Sequence, residues 1–502
     1  MKRRDFVSLT GMGAVGASLP RSPWPEGGSH AGLLNAAEED PRFEEIAELI
    51  EAKMAEHRVT GVAFGLIKDG VASMRGFGLT NVDNPQPVTP DTVFPIASIT
   101  KTVVAVAVLR LVEQGRVALD APVREYLPDF RVSDEAASRA VTVRHLLTHT
   151  PGWEGQLEAA DRGDETHANF VTSIRDLPQL ARPGEVWSYN NAGFGVAGRV
   201  LEVLTGRVIH DALRDLVFDP LGLTLAFTRA TTAMTYRFAA PHNEREGRTV
   251  VLRPFTPPMS ASGSAAMSLS SLMAYARFHL GDGLGSSGEP VLTPASLALM
   301  RTPQGTKRPT TDEMGVGWHL RRLNGVLTAV HCGTLIGHCL HLQLVPERDL
   351  TFAFLTNHMQ GWRLISDVER AVLELYEGLA LAPSQRTGGD RGGFEDMTAH
   401  ATPLSPQPAH GQYLGRYERP PLEDLVTVTT ERGRLMANGS IFGFPFSLRL
   451  VFWAPDMAYA EPDRPLGDDV IYPYRCVPVE FVRDGSGEVR WCRLSGRIGR
   501  KG

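Results

Sequence analysis

Ile46, Leu49, Ile50 and Met54 recur at the three-and-four spacing that gives a helix one apolar face, and predict a helix over 42–56. Residues 62–68 form a near-continuous apolar run, Asp69-Gly70 follows, and a second apolar stretch continues to Gly78. An Asp-Gly pair between two such runs predicts a β-hairpin. From 98 to 279 the pattern is mostly helical with frequent loops. Within it Val104, Ala107, Val108, Leu111 and Val112 keep helical spacing up to a terminating Gly115. Strand patterns return at 316–323, 325–331, 340–345 and 350–356, and Pro346-Glu347-Arg348-Asp349 turns the last pair, which is therefore antiparallel. Residues 362–381 read as a helix with Leu364, Val368, Val372 and Leu375 along one side. An antiparallel sheet with helices from both chain ends and an inserted helical region is an α+β pattern.

Beyond this unit the patterning changes. Residues 382–412 shift to Gly, Pro, Ser, Thr and His without periodicity and predict a linker. Residues 413–502 alternate in short β-type runs, with turns expected at Asn438-Gly439 and Asp484-Gly485-Ser486, and predict a small all-β domain. The expected organisation is thus a leader over 1–31, a main domain over 40–381, a linker over 382–412 and a β-domain over 413–502.

Composition narrows the class. The 502 residues carry 51 basic and 57 acidic side chains, a net charge of −6, which argues against a nucleic-acid binder. Only six of the basic residues are lysines (Lys2, Lys53, Lys68, Lys101, Lys307 and Lys501), so a lysine inside a motif is informative. The start Met1-Lys2-Arg3-Arg4-Asp5-Phe6 and the weakly apolar stretch 7–19 read as an export signal, with Arg3-Arg4-x-Phe6 resembling the twin-arginine type. Cleavage fits after Ala17 or Ala31, a periplasmic or extracellular location is expected, and a terminus without function is the alternative. The apolar run is too short and glycine-rich to span a bilayer of about 30 Å. Gly11-x-Gly13-x-x-Gly16 spells a dinucleotide fingerprint, but it lies in this leader and outside any βαβ unit, so no nucleotide cofactor is expected.

The chemistry centres on Ser98-Ile-Thr-Lys101 at the head of an apolar helix. Three positions apart, the two side chains share a helix face. A serine hydroxyl needs an adjacent base, and an amine partly buried on an apolar helix is pushed toward its neutral form. The helix N-terminus favours negative charge beside Ser98, and arginine could not replace Lys101 because it does not deprotonate. The alternative is a helix cap with a solvated lysine. Two further segments outweigh it. Tyr189-x-Asn191 stands in a loop before an apolar-faced helix, where a phenol near a lysine can relay a proton. His331-Cys332-Gly333-Thr334 ends a predicted strand, where the glycine permits close approach of substrate.

The order Ser-x-x-Lys, Tyr-x-Asn, His-x-Gly resembles the serine β-lactamase and penicillin-binding-protein superfamily, in particular the branch with class C β-lactamases, D-stereospecific peptidases and amidases, and β-lactamase-like esterases. Residues 144–152 (Arg-His-Leu-Leu-Thr-His-Thr-Pro-Gly), Pro183-Gly-Glu and Gly315-Val-Gly-Trp318 add to it, and it covers about 42–380. The tail from Tyr413-Leu-Gly-Arg-Tyr417 is similar to the lipocalin-like β-domain found after such hydrolases. The resemblance implies a metal-independent serine hydrolase without cofactor. Ser98 would be acylated, Lys101 and Tyr189 would share base and acid roles, and Asn191 would orient substrate and Lys101. His331 and Gly333 would line the substrate edge, with the N–H groups of Ser98 and Thr334 as oxyanion hole. Substrates would be small molecules or peptides, and the β-domain would border the site or mediate homo-oligomerisation. His331 stands where many relatives carry lysine, and Cys332-Gly333-Thr334 where relatives often carry glycines. The first departure shifts the expectation toward ester, amide or peptide bonds and away from β-lactams; the second leaves substrate size open. β-Lactamase or DD-peptidase activity is one alternative, and a non-hydrolytic penicillin-binding sensor or cell-wall binding protein is another.

Other readings are weaker. His331, Cys332, His338, Cys339 and His341 match no zinc spacing, and strand alternation sends neighbours to opposite faces. His145 and His149 read as structural, and Asn438-Gly439-Ser440 as a turn rather than a glycosylation acceptor. With Phe481 opposite Val489 and Val479 opposite Trp491, Cys476 and Cys492 would be diagonal neighbours, too far apart for a disulfide.

Overall fold

The structure is a computed structural model that describes residues 40–155, 167–253, 260–305, 313–381, 402–420, 425–441, 444–462, 477–494 and 496–502. The leader, most of the linker and Cys476 lie outside the described residues.

Helix α1 (Pro41–His57) starts on Asp40, whose side chain accepts from the Arg42 N–H, and ends at Arg58 in the left-handed region. Strands β1 (Gly61–Lys68) and β2 (Val71–Gly78) follow as the expected hairpin. Helices α2 (Thr100–Glu113), α3 (Asn191–Thr205) and α4 (Leu269–Leu280) are the long helices of the inserted region. This region also holds short strands, including a hairpin of His242–Arg245 and Arg248–Val251 that the sequence patterns do not announce. Strands β3 (Glu313–Met314), β4 (His319–Leu323), β5 (Val326–Leu335), β6 (His338–Val345) and β7 (Leu350–Thr356) then lead to α5 (Gly361–Glu377).

These strands form one antiparallel sheet in the order β2-β1-β7-β6-β5-β4-β3, so the two ends of the domain meet where β1 pairs with β7. Both faces of the sheet are covered, which is why its central strands read as apolar runs rather than alternations. On one face α1 and α5 bury Phe43, Ile46, Ile50, Ile365, Val368 and Val372 against Phe64, Phe352 and Phe354. Phe64 stacks between Phe43 and Phe354, with ring centroids 5.6 and 4.8 Å away. On the other face lie α4, α2 and the inserted region. The α+β class inferred from the sequence is the one observed.

Strands β8 (Gly415–Glu418), β9 (Leu425–Glu431), β10 (Arg434–Ile441), β11 (Phe444–Ala454), β12 (Met457–Pro462), β13 (Val477–Arg483), β14 (Val489–Leu494) and β15 (Arg497–Lys501) close into an antiparallel barrel in chain order. Two expectations are corrected here. Asn438-Gly439-Ser440 is no turn but lies within β10, paired on both sides. The hairpin closes earlier, at Arg432-Gly433, whose φ values of +49° and +76° supply the two left-handed positions a tight turn needs. In the β13–β14 hairpin Phe481 faces Cys492 and Val479 faces Leu494, because β13 stays paired up to Arg483 opposite Val489, two residues nearer the turn than expected, and a bulge between Val482 and Arg483 adds one residue more. Cys332, Cys339 and Cys492 are free thiols.

Among the described residues no helix is long and apolar enough to cross a membrane.

Candidate active site

From Thr92 to Leu109 every residue is buried except Ser98, which is half-buried. Ser98 belongs to a 3₁₀ turn, Ala97–Ile99, that leads into α2. It does not cap the helix: Ile99 holds the N-cap position and no side chain caps there. Ala97, just before Ser98, has φ +46°, a left-handed conformation that costs a non-glycine residue about 1–2 kcal/mol. The surroundings hold it. The Ile96 N–H donates to the Ala265 carbonyl (2.8 Å), and the Ala265 N–H donates to Thr100 Oγ1 (3.1 Å).

Lys101 is fully buried, and its Nζ donates to Ser98 Oγ at 3.1 Å and to the Ser262 carbonyl at 2.8 Å. The ammonium site also lies 4.9 Å from the Tyr189 ring centroid and 5.6 Å from that of Phe194. The three residues singled out in sequence, 98, 101 and 189, therefore converge. Ser262 is a participant that no motif reveals, because it acts through a backbone oxygen 161 residues from Lys101.

The Tyr189 loop is fixed by Asn190, the N-cap of α3. Its side chain accepts from the Gly193 N–H (2.7 Å) and donates to the Trp153 carbonyl (2.9 Å), while its own N–H donates to His149 Nδ1 (2.9 Å). Asn191 is the buried first residue of α3. The ring of His149 packs 4.5 Å from that of Tyr189, and the ring of His319 stacks 6.2 Å away. His149, read as structural from its sequence context, thus packs directly against the site.

On the other side runs β5. His331 is buried in mid-strand rather than at a strand end, with Nδ1 2.9 Å from the Cys332 carbonyl oxygen and its ring 5.3 Å from that of His319. Cys332 instead joins the apolar cluster beneath α1 and α5, with Sγ 3.6 Å from His341 Nδ1, so alternation does separate the Cys/His cluster. A Cβ on Gly333 would stand 2.4 Å from the Ile96 carbonyl oxygen. The glycine therefore permits the close approach of the strand to the serine's own turn. Thr334, half-buried, follows along this edge.

The barrel reaches the same loop. Tyr189 N–H donates to the Gly496 carbonyl (2.8 Å), and the Ile498 N–H donates to Ser188 Oγ (3.2 Å). Trp491 Nε1 donates to the Leu180 carbonyl (2.9 Å), and Arg493 to the Trp187 carbonyl (2.8 Å). Leu180, Ala181 and Val186 pack with Trp491 and Ile498 as a small apolar cluster.

A family model for Beta-lactamase matches residues 46–375, from α1 into α5. The chain belongs to the beta-lactamase family. Penicillin-binding protein 4 of Amycolatopsis lactamdurans is 33% identical to it over 382 residues, covering 74% of this chain and 96% of that protein. Esterase EstB of Burkholderia gladioli is 35% identical over 222 residues, covering 41% of this chain and 56% of its own length. Among solved structures, SurE superposes with a TM-score of 0.73 at 25% identity, covering 92% of this chain and 99% of that one, so the likeness extends into the barrel. This beta-lactamase-family chain is a serine hydrolase.

Proposed function

We propose that the protein cleaves an ester, amide or peptide bond through a covalent acyl-Ser98 intermediate. The observation that carries this reading is the 3.1 Å contact from a fully buried Lys101 to the only incompletely buried side chain in its run, Ser98. Burial favours the neutral amine, which can then accept a proton. In the first step Ser98 Oγ attacks the carbonyl carbon and its proton passes to the Lys101–Tyr189 pair. The tetrahedral oxyanion is held by the N–H groups of Ser98 and Thr334, and the pair returns the proton to the departing alcohol or amine. Water then attacks the ester at Ser98, releases the acid and restores the hydroxyl. Asn191 orients substrate and Lys101, and His331 and Gly333 shape the substrate edge.

The substrate class is argued from charge. Position 331 carries a histidine and not a lysine, so this edge lacks the permanent cation that lysine would offer a substrate carboxylate. The match to an esterase over 222 residues supports the cleavage of an ester bond. The reading also keeps the Arg3-Arg4 leader as an export signal, tested by locating tagged wild type and an Arg3→Lys/Arg4→Lys variant in cell fractions. The barrel is taken as lipocalin-like.

The test is time-resolved release of p-nitrophenol from short-chain esters by wild type and Ser98→Ala, with intact-mass detection of adducts. Sustained turnover that is lost in Ser98→Ala is expected. A single stoichiometric burst with a persistent adduct would make the protein an acylated sensor, and turnover by Ser98→Ala would overturn the assignment.

A further inference from the structure

The carbonyl that receives Lys101 lies in a buried turn, 260–265, whose backbone N–H groups can each be traced to an acceptor. The Ser262 N–H donates to Ser260 Oγ (3.2 Å), and those of Gly263 and Ser264 donate to the Ser260 carbonyl (3.0 and 2.9 Å). The Ser260 and Ser262 hydroxyls, 2.5 Å apart, brace the turn from within, and the Ala265 N–H donates to Thr100 Oγ1. The Ala261 N–H goes elsewhere: it donates to Nε2 of His167 at 3.0 Å. A buried N–H needs an acceptor, and here an imidazole supplies it. Because Nε2 accepts, it carries no proton, so the ring is in the Nδ1–H form. Nδ1 lies 3.4 Å from Glu202 Oε1. Glu202, buried on α3, also accepts from the N–H groups of His167 (3.0 Å) and Ile209 (3.2 Å) and from Arg199 (3.1 Å). The carboxylate thus holds both the ring and the backbone of His167. Packing is equally close: a Cβ on Gly198 of α3 would stand 2.7 Å from Ala261 Cβ and 3.4 Å from His167 Nε2.

We infer that His167 is a positioning residue for the reaction: its Nε2 holds the Ala261 N–H and thereby aims the Ser262 carbonyl, one residue on, at Lys101. This rests on the acyl-Ser98 reading given above, in which the lysine must stay beside the serine hydroxyl. The argument is one of rigid peptide units. Each unit is planar, so a bond to its N–H fixes the tilt of the whole unit. Three successive units are set in this way. His167 sets the first through the Ala261 N–H, Ser260 Oγ the second through the Ser262 N–H, and the Ser260 carbonyl the third through the Gly263 N–H. The Ser262 carbonyl belongs to the third unit, so its direction follows from all three. Two of these acceptors lie within the turn and set its shape. His167 comes from outside the turn and sets its position against α3. A turn released from His167 carries the Ser262 carbonyl with it, and Lys101 Nζ, held there at 2.8 Å, is drawn from its 3.1 Å contact with Ser98 Oγ. His167 therefore acts on the chemistry through Lys101, with Glu202 as the anchor behind it.

The experiment is kcat/KM for an uncharged p-nitrophenyl ester with full-length wild type, His167→Leu and His167→Gln, and with Ser98→Ala as reference. Rates are taken per folded molecule, with the folded fraction read by circular dichroism, so that lost protein is separated from lost rate. His167→Leu fills the space without an acceptor and is expected to lower kcat/KM about 10–100-fold. His167→Gln, whose amide oxygen reaches the place of Nε2, is expected to recover it to within about threefold of wild type. A merely structural histidine would show no such split between the two variants. A wild-type rate in His167→Leu, or a rate in His167→Gln as low as that of His167→Leu, overturns the proposal. Turnover that persists in Ser98→Ala instead removes the acyl-serine reading itself. Should His167→Leu not fold, the tautomer in the unaltered protein decides. With ¹⁵N-labelled histidine, assigned through His167→Gln, the His167 ring is expected to carry its proton on Nδ1 and none on Nε2. A proton on Nε2 overturns the proposal.

Discussion

Replacing Gly333 with alanine tests the geometry of the site at the point where two elements meet most closely. The new Cβ would stand 2.4 Å from the Ile96 carbonyl oxygen, 3.1 Å from Leu340 Cδ1 and 3.2 Å from Ala97 Cβ. Ordinary contact begins at 3.4 Å, so strand and turn must separate by 3.4 − 2.4 = 1.0 Å. The neighbour cannot swing aside, because the oxygen is backbone and the Ile96 N–H is held by Ala265. Overpacking of this kind costs about 1–3 kcal/mol of stability, which the domain survives. The effect on chemistry is larger. A misplacement of about 1 Å between a nucleophile and its oxyanion donors costs about 10²-fold in rate, or about 2.7 kcal/mol on the barrier. The assay is kcat and KM for a short-chain p-nitrophenyl ester, the acylation rate by rapid-quench mass, and the melting temperature. Gly411→Ala, with nothing within 4 Å of the added methyl, is the control. Gly333→Ala within threefold of wild-type kcat, with an unchanged acylation rate, would refute the reasoning that this glycine sets the oxyanion geometry.

Lys101→Arg replaces an amine that can give up its proton with a guanidinium that cannot, so a loss of about 10²–10⁴-fold in kcat is expected, and near-wild-type steady-state turnover would contradict Lys101 as base. Burial holds His279 and His341 down at about 3 and His338 at about 4, so in the folded state they stay neutral well below the ordinary 6.5. The unfolded chain takes up those protons first, so stability is full above pH 6.5 and is lost on acidification toward pH 4. The loss at pH 5 is about 2 kcal/mol per histidine, to be read as a lower urea midpoint at pH 5 than at pH 7.5, with His279→Phe flattening the difference. Trp491→Ala removes a buried ring and its bond to the Leu180 carbonyl, at a cost of about 3–5 kcal/mol to the barrel and its docking. Faster proteolysis within 180–189 and reduced kcat are expected, and equal digestion rates would show that the ring does not hold the loop.

Much of the hydrolase domain is legible from local pattern. The 41–57 helix, the β1–β2 hairpin and β7 follow from period, Asp-Gly turn chemistry and apolar runs, and the observed ends differ from the expected ones by a residue or two. Ser98, Lys101 and Tyr189 were found because motif spacing is a local property, and the structure brings them together. What local pattern cannot carry is pairing at a distance. Cys332-Gly333-Thr334 looks like the end of a strand, but β6 extends its ladder to Leu335. Gly439 looks like a turn, but two neighbours pair across it while Arg432-Gly433 takes the bend. The Ser262 carbonyl has no motif at all, since it is a backbone atom 161 residues from the lysine that it meets.

The contact between Tyr189 and Gly496 also has a consequence in time. A chain synthesised from its N-terminus presents Ser98, Lys101 and Tyr189 long before β15 exists, since 496 − 189 = 307 residues separate the two partners of that bond. At about 5–20 residues per second, a ribosome needs about 15–60 s to add them. Throughout that interval the loop bearing Tyr189 lacks its barrel-side hydrogen bonds, so the nascent hydrolase is held short of its final geometry while still attached to the ribosome.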